Sequence, residues 1–302
     1  MAGVIGTGNH PKALWPGVFA WWGRSYNKHD PKFQDMFDIA SSGKKYEEMV
    51  EVTGFGLAPQ KNEGTATTFD SETQGVINRA TNIAYSLGYI VTKEEVADNL
   101  YEEVSRRRVE AVAFSMNQTK ETVAANVYNR AFSGSYTYGD DKALLASDHP
   151  VIEGTQSNIL SVAADFSESS LEDLSIQMMN AKNSRGLNIN PIPTTLIGST
   201  SLTYEFIRVL QSDLQNDTAN NATNAVKMLG KTLKVCTNPF LTDTDAWFLK
   251  SNVPSGLTMF MRSGIEFGQD VDFDTDNLKA KAYERYSFTT GDWRGLYGSA
   301  GA

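Results

Sequence analysis

Residues 92–132 read TKEEVADNLYEEVSRRRVEAVAFSMNQTKETVAANVYNRAF, and the length of this stretch decides the fold. Thr92-Lys93-Glu94-Glu95 has the spacing of a capping box, which opens a helix by satisfying its first backbone N–H groups. Val96, Leu100 and Val104 then step by four, and Val109, Val112, Ala113 and Met116 continue the stripe. Val123, Ala124, Val127, Tyr128 and Ala131 carry it to Phe132, where Ser133-Gly134 ends it. No proline interrupts the run, so at 1.5 Å per residue it predicts a rod of roughly 60 Å. One long, nearly continuous helix is expected over Thr92–Phe132, with Asn117–Thr119 the place where a break is allowed. The rod is too long for an ordinary domain helix and lacks the sustained heptads of a coiled coil.

Upstream, residues 46–91 read as strand, open tip, strand. Val50 and Val52 alternate with Glu51 and Thr53 until Gly54-Phe55-Gly56 breaks the run. Pro59 to Ser71 is polar, with Phe69 its one large apolar residue. Ile83, Tyr85, Leu87, Tyr89 and Val91 then give the cleanest period-2 signal in the chain, and are expected to form the return strand. A long two-stranded hairpin is marginal alone in water and needs a surface to lie against. Before it, glycines and prolines interrupt residues 1–20, and Trp21, Trp22, Tyr26, Phe33 and Phe37 follow closely. That aromatic surface must be buried, either on its own domain or along a neighbouring subunit.

Downstream, Ser169-x-x-Glu172 caps an expected helix carrying Leu171, Leu174, Ile176, Met178 and Met179. Thr194–Ile197 reads as a short buried strand, and Leu202, Phe206, Ile207 and Leu210 as a second helix. Leu233, Val235 and Trp247–Leu249 read as strands, and long alternating strands return from Leu257 to Tyr286. The fold class is α+β.

The 302 residues suffice for a sizeable core, and 40% apolar with 21% charged residues is globular composition. A net charge of −9 without a basic stripe argues against a nucleic-acid-gripping role. The single cysteine, Cys236, excludes an internal disulfide. No apolar run approaches the ~18 residues of a membrane span, so no membrane partner is expected.

Chemical motifs fail one by one. Gly230-Lys231-Thr232 lacks the glycine a phosphate loop needs five positions earlier, where Ala225 stands. Asp270, Asp272, Asp274 and Asp276 alternate, yet neither calcium-loop register supplies the sixth-position glycine or twelfth-position glutamate. An amphipathic strand with an acidic outer face explains the run. Ser147-Asp148-His149 holds the residue types of a hydrolase, but adjacent residues point apart where a triad must converge. His10, His29 and His149 have no ligand spacing, and Gly54-x-Gly56 leads to Pro59 where a dinucleotide fingerprint wants glycine. No enzyme, metal or cofactor is expected.

The order of parts resembles the major capsid protein of tailed bacteriophages, the Hong Kong 97-type fold. The run from Gln118-Thr119-Lys120-Glu121 to Ala131-Phe132 is similar to the spine segment of Mu-like prophage head subunits. Ser147-Asp148-His149-Pro150, Arg185-Gly186 and Asp292-Trp293-Arg294-Gly295 resemble the same branch. The resemblance implies an N-arm over 1–45, an E-loop hairpin over 46–91 and a peripheral domain with spine helix over 92–164. It further implies an axial domain over 165–255, with returning peripheral strands and a tail over 256–302. It implies hexamers and pentamers of this chain in an icosahedral head, assembled in the host bacterial cytoplasm around double-stranded DNA held without sequence-specific binding. Scaffold, portal and decoration proteins are the further partners it allows. Candidate subunit-interface residues are Trp21, Trp22, Tyr26 and Phe33 on the arm, Gln60, Lys61, Asn62 and Glu63 at the tip, and Trp293 and Arg294 near the end. Lys61 and Asn62 are the residue types of the family's occasional subunit crosslink, but no matching acceptor context is identifiable. An encapsulin-like cargo shell and an unidentified enzyme are the alternatives.

Overall fold

The structure, a computed structural model, describes residues 30–98, 102–152, 154–215, 222–227 and 233–302. The rod is realised as α2 (Lys93–Asp98) and α3 (Glu102–Asn129), following the short α1 (Phe33–Met36). The Thr92 hydroxyl accepts the Glu95 N–H at 3.3 Å, which is half of the expected capping box. The Glu95 carboxylate turns instead to Arg108. α3 runs without interruption through Asn117–Thr119, where the sequence allowed a break.

Against this rod lies a four-stranded sheet in the order β1–β10–β11–β4. Its strands are β1 (Asp38–Ser41), β4 (Ile83–Val91), β10 (Leu257–Val271) and β11 (Leu278–Thr290). Val112 and Met116 of α3 pack on Ala282 of β11 and on Tyr85 and Tyr89 of β4. One helical turn onward, Lys120 meets Glu284 of β11 at 2.7 Å, with both side chains nearly buried. The Lys120 ammonium also sits over the rings of Tyr286 and Phe33. Fully buried Ala124 and Ala125 let α3 approach a core that includes Phe37, Tyr128, Leu144 and Phe248.

The hairpin differs from its reading. Its strands are β2 (Tyr46–Val52) and β3 (Gln74–Thr81), paired antiparallel from Tyr46↔Thr81 to Val52↔Gln74. Ile83–Val91 is not the return strand: it is β4, paired with β11 from Ile83↔Tyr286 to Val91↔Leu278. Its strong alternation marks a face laid on a helix, which is a stronger demand than that of a free-standing hairpin.

The second sheet has the order β12–β9–β7–β8, built from β7 (Pro193–Gly198), β8 (Lys234–Thr237), β9 (Trp247–Ser251) and β12 (Leu296–Ser299). Leu171, Leu174 and Met178 of α4 (Glu168–Met179) pack in its core with Phe206 and Leu210 of α5 (Thr203–Gln211) and with Trp247. The N-cap of α4 is Ser167, in a capping box with Ser170, rather than Ser169 with Glu172. A short pair, β5 (His149–Val151) and β6 (Gly154–Gln156), joins the two halves. The acidic run is a turn rather than a strand face: β10 ends at Val271, and Asp272 and Asp276 pair with Lys279 and Lys93.

Candidate assembly interface

Beyond the Val52↔Gln74 pair the hairpin opens into an exposed tip, residues 54–73. Gly54 turns the chain at φ +67°, a conformation that side chains disfavour. The tip exposes Phe55, Leu57 at 83% and Phe69 at 91% of their surface. Gln60, Lys61, Asn62 and Glu63 lie beside them, all exposed. Nothing described in the subunit covers these apolar side chains.

The neck beneath the tip is fixed. Thr53 and Thr73 bond through backbone and side chain, with Thr53 N–H donating to the Thr73 carbonyl at 3.0 Å. Asp70 accepts N–H groups from Gly56 and Ser71, each at 2.8 Å. Arg185, from the loop after α4, donates to both Asp70 oxygens at 3.0 and 3.1 Å and to the Ser71 carbonyl at 2.7 Å. The Gly56 N–H, then the Ser71 N–H and then Arg185 hold the Asp70 carboxyl below the usual carboxylate range. Arg185 Nε also donates to the Gly54 carbonyl at 3.4 Å, so one guanidinium holds both sides of the loop.

The root is embedded. Asn78 of β3 donates to the Gly291 carbonyl at 3.0 Å and accepts from Gly139 N–H. Glu51 of β2 faces the buried Arg294 at 3.4 Å. Arg294 also donates to the Lys182 carbonyl at 2.7 Å and to Asp292 at 3.1 Å, and lies over the Trp293 ring. The Trp293 ring system also stacks flat on fully buried His149, with centroids 4.2 Å apart. His149 Nδ1 meets Asp140 at 2.6 Å and Nε2 meets the Asn158 side-chain oxygen at 3.1 Å. The Asn158 orientation is fixed, because its amide nitrogen faces the carbonyls of Leu144, Leu296 and Trp293. Both ring nitrogens therefore face oxygen atoms of fixed side chains.

This network also places the hydrolase-like triplet. Ser147 and Asp148 are exposed, Asp148 pairs with Lys142, and His149 turns inward to Asp140, so the three do not converge. Among the described residues no cluster of His, Cys, Asp and Glu could hold a metal, and no helix is long and apolar enough to cross a membrane. Gly230-Lys231-Thr232, Trp21, Trp22 and Tyr26 lie outside the described residues. Phe33 and Arg294 are buried inside the subunit rather than presented on its surface, Phe33 edge-on to Phe288 and Arg294 in its bonds to Glu51, Asp292 and Lys182. Sequence reasoning missed Leu57 and gave Arg185 no role. Isolated apolar residues in a polar run carry no period, and an arginine's partner 115 positions away leaves no local signal.

A family profile described as phage capsid protein matches residues 80–299. A chain from Mycobacterium phage Patience is similar in structure at TM-score 0.60 and 13% identity, over 99% of this chain and 92% of that one. The capsid of Cyanophage P-SCSP1u is similar at TM-score 0.60 and 11% identity, over 96% and 94%. A virus-like particle from Pyrococcus furiosus is similar at TM-score 0.52 and 10% identity, over 92% and 94%. At these identities the likeness is one of fold. No curated protein sequence matches.

Proposed function

Since the chain belongs to the phage capsid protein family and forms the shell of a phage head, we propose that its E-loop tip is the part that closes contacts between copies. The observation that carries this reading is the pairing of an uncovered apolar tip with a fixed neck. Leu57 and Phe69 are almost fully exposed, yet Arg185 and Asp70 hold the loop that presents them. Exposed apolar groups on a rigid support are the pattern of a binding surface, and buried aromatic anchors dominate such interfaces. Gln60–Glu63 form the polar rim around them.

In this reading the chain is the major head subunit, of the Mu-like branch, arranged as hexamers and pentamers in an icosahedral shell. The spine and four-stranded sheet make the peripheral domain, the second sheet with α4 and α5 the axial domain, and the E-loop hairpin spans Tyr46–Thr81. The subunit acts structurally and without catalysis. The shell encloses double-stranded DNA without sequence-specific contacts, a role that an overall charge of −9 favours by leaving phosphates ungripped. Scaffold, portal and decoration proteins are its expected partners, and the virion its location after assembly in the host cytoplasm.

Negative-stain microscopy of the purified protein tests the reading. Closed shells or ring-shaped capsomers are expected, and small discrete particles at every concentration would overturn it. Nucleic acid inside shells isolated from phage-producing cells separates a genome container from a shell for protein cargo.

A further inference from the structure

The outer edge of β4 stands out among the sheet edges. In the order β1–β10–β11–β4 it is a terminal strand, and no described strand pairs with its far side. Its sequence, Ile83-Ala84-Tyr85-Ser86-Leu87-Gly88-Tyr89-Ile90-Val91, holds no charge and no proline. Its register with β11 is unbroken over all nine residues. Soluble proteins guard such edges with charges, prolines, bulges or short length, because a free row of N–H and C=O groups recruits another strand. The other described edges carry those guards. β1, the other end of this sheet, is four residues long and begins with Asp38. The stretch of β10 that β1 leaves uncovered has two register shifts and carries Glu266 and Asp270. β2 carries Glu47, Glu48 and Glu51, and β3 carries Arg79. β8 and β12 are four residues each. β4 alone is long, regular and neutral.

We propose that β4 pairs antiparallel with β4 of a second copy of this chain, across a twofold axis, to make one continuous eight-stranded sheet. Self-pairing requires that no like charges stand opposite each other, and a neutral strand meets that requirement whereas β10 or β2 would not. Faces must also match, because a one-residue slip would set the apolar set against the other side. Full overlap satisfies this with Ile83 opposite Val91 and Leu87 opposite its own counterpart. Leu87 is 44% exposed and Ile83 54% exposed in the subunit, and each gains a neighbour on the helix-bearing face. Isologous pairing about a twofold is the commonest form of self-association.

The contact is small. Nine residues extend about 30 Å, and a strip roughly 10 Å wide buries on the order of 600 Å² in all. That is below the ~1,000 Å² of a stable isolated interface. The pair therefore forms where other contacts already hold copies together, so the inference rests on the shell reading for its setting but not for its test.

The test places one cysteine on the proposed axis. Opposed Cα atoms in an antiparallel pair stand about 4.5 or 5.5 Å apart, and both spacings admit a disulfide. Leu87→Cys is treated with diamide, in assembled particles and in concentrated subunits, beside Phe273→Cys, a site 95% exposed on the β10–β11 turn. Covalent dimers at least tenfold more abundant for Leu87→Cys are expected. Equal dimer yields from both variants, or none from Leu87→Cys, would overturn the pairing. Hydrogen exchange over residues 83–91 of the unsubstituted protein gives a second reading, with slower exchange expected in particles than in dilute subunits. Shells that form without either signal sink this inference and leave the shell reading intact, whereas particles that never form sink the latter by microscopy alone.

Discussion

Arg185 and Asp70 meet across 115 positions of sequence, the guanidinium donating to both carboxylate oxygens at the neck of the β2–β3 hairpin. The pair is partly exposed, so it adds little to the stability of the subunit. Its effect is to hold one loop in one place. Arg185→Ala should leave circular dichroism and melting unchanged and should reduce shell yield in sedimentation by at least tenfold. Arg185→Lys should recover only part of that yield, since a single ammonium nitrogen placed at Asp70 cannot also reach the Gly54 carbonyl, to which Arg185 Nε donates at 3.4 Å. Normal shells from Arg185→Ala would remove the clamp from the account.

The same carboxylate gives the clamp a pH limit. Asp70 has its folded pKa lowered from 3.8, first by the Gly56 N–H, then by the Ser71 N–H and Arg185. A lowered pKa means the contact is fully present above the unfolded value and is lost as pH falls through the folded one. Hydrogen exchange in residues 53–73 should thus be unchanged from pH 7 to pH 5, after correction for intrinsic rates. It should rise only below about pH 4. A rise near pH 6 would point to another group.

Leu57 and Phe69 separate folding from assembly most cleanly. They contribute almost no buried area to the subunit, so Leu57→Asp or Phe69→Asp should change unfolding free energy by less than about 0.5 kcal/mol. Each should nevertheless stop shells from closing. Denaturant unfolding and microscopy on the same preparation check the two halves, and a variant that both folds and closes shells would count against the tip as an anchor.

How much of this was legible follows from where each signal lives. The rod, the α4 stripe and the long β10 and β11 strands announce themselves because burial imposes a period on many consecutive residues. The true return strand Gln74–Thr81 does not, since Gly75, Asn78 and Arg79 break its alternation and Asn78 is chosen for the Gly291 and Gly139 backbone it binds. Ile83–Val91 outshone it and drew the pairing away. The DWRG and SDHP runs were visible as resemblances, but that Trp293 stacks on His149 is set by tertiary contact alone. The tip was placed correctly as an exposed polar segment. Its apolar anchors were passed over because one leucine and one phenylalanine make no pattern.

Asn158 is buried with its amide oxygen and nitrogen both used, between Leu144, Ala146, His149 and Leu296. Asn158→Ala leaves several buried polar groups without partners and should cost about 3 kcal/mol or more. Urea unfolding measures it, and a loss under 1 kcal/mol would show that the network relaxes.

Burial pushes the Cys236 thiol up to about 12, so the folded subunit holds almost no thiolate at pH 8. Iodoacetamide should label Cys236 only as fast as the chain unfolds. Rapid labelling of native protein would show that the core around β8 opens.

The sheet order sets a timetable for synthesis. Asp38 of β1 pairs with Thr258 of β10, and Ile83 of β4 pairs with Tyr286 of β11. On the ribosome, β2 and β3 can meet as soon as both emerge, but β1 and β4 wait for strands translated roughly 200 residues later, which at ~5–20 residues per second is some 10–40 s. Throughout that delay the neutral strand and the apolar tip are both uncovered on a tethered chain. Nascent chains are crowded along one message, so this interval is when wrong partners are closest. Host chaperones that shield extended apolar segments would act here, and slowing translation before β10 should raise the aggregated fraction without altering the finished subunit.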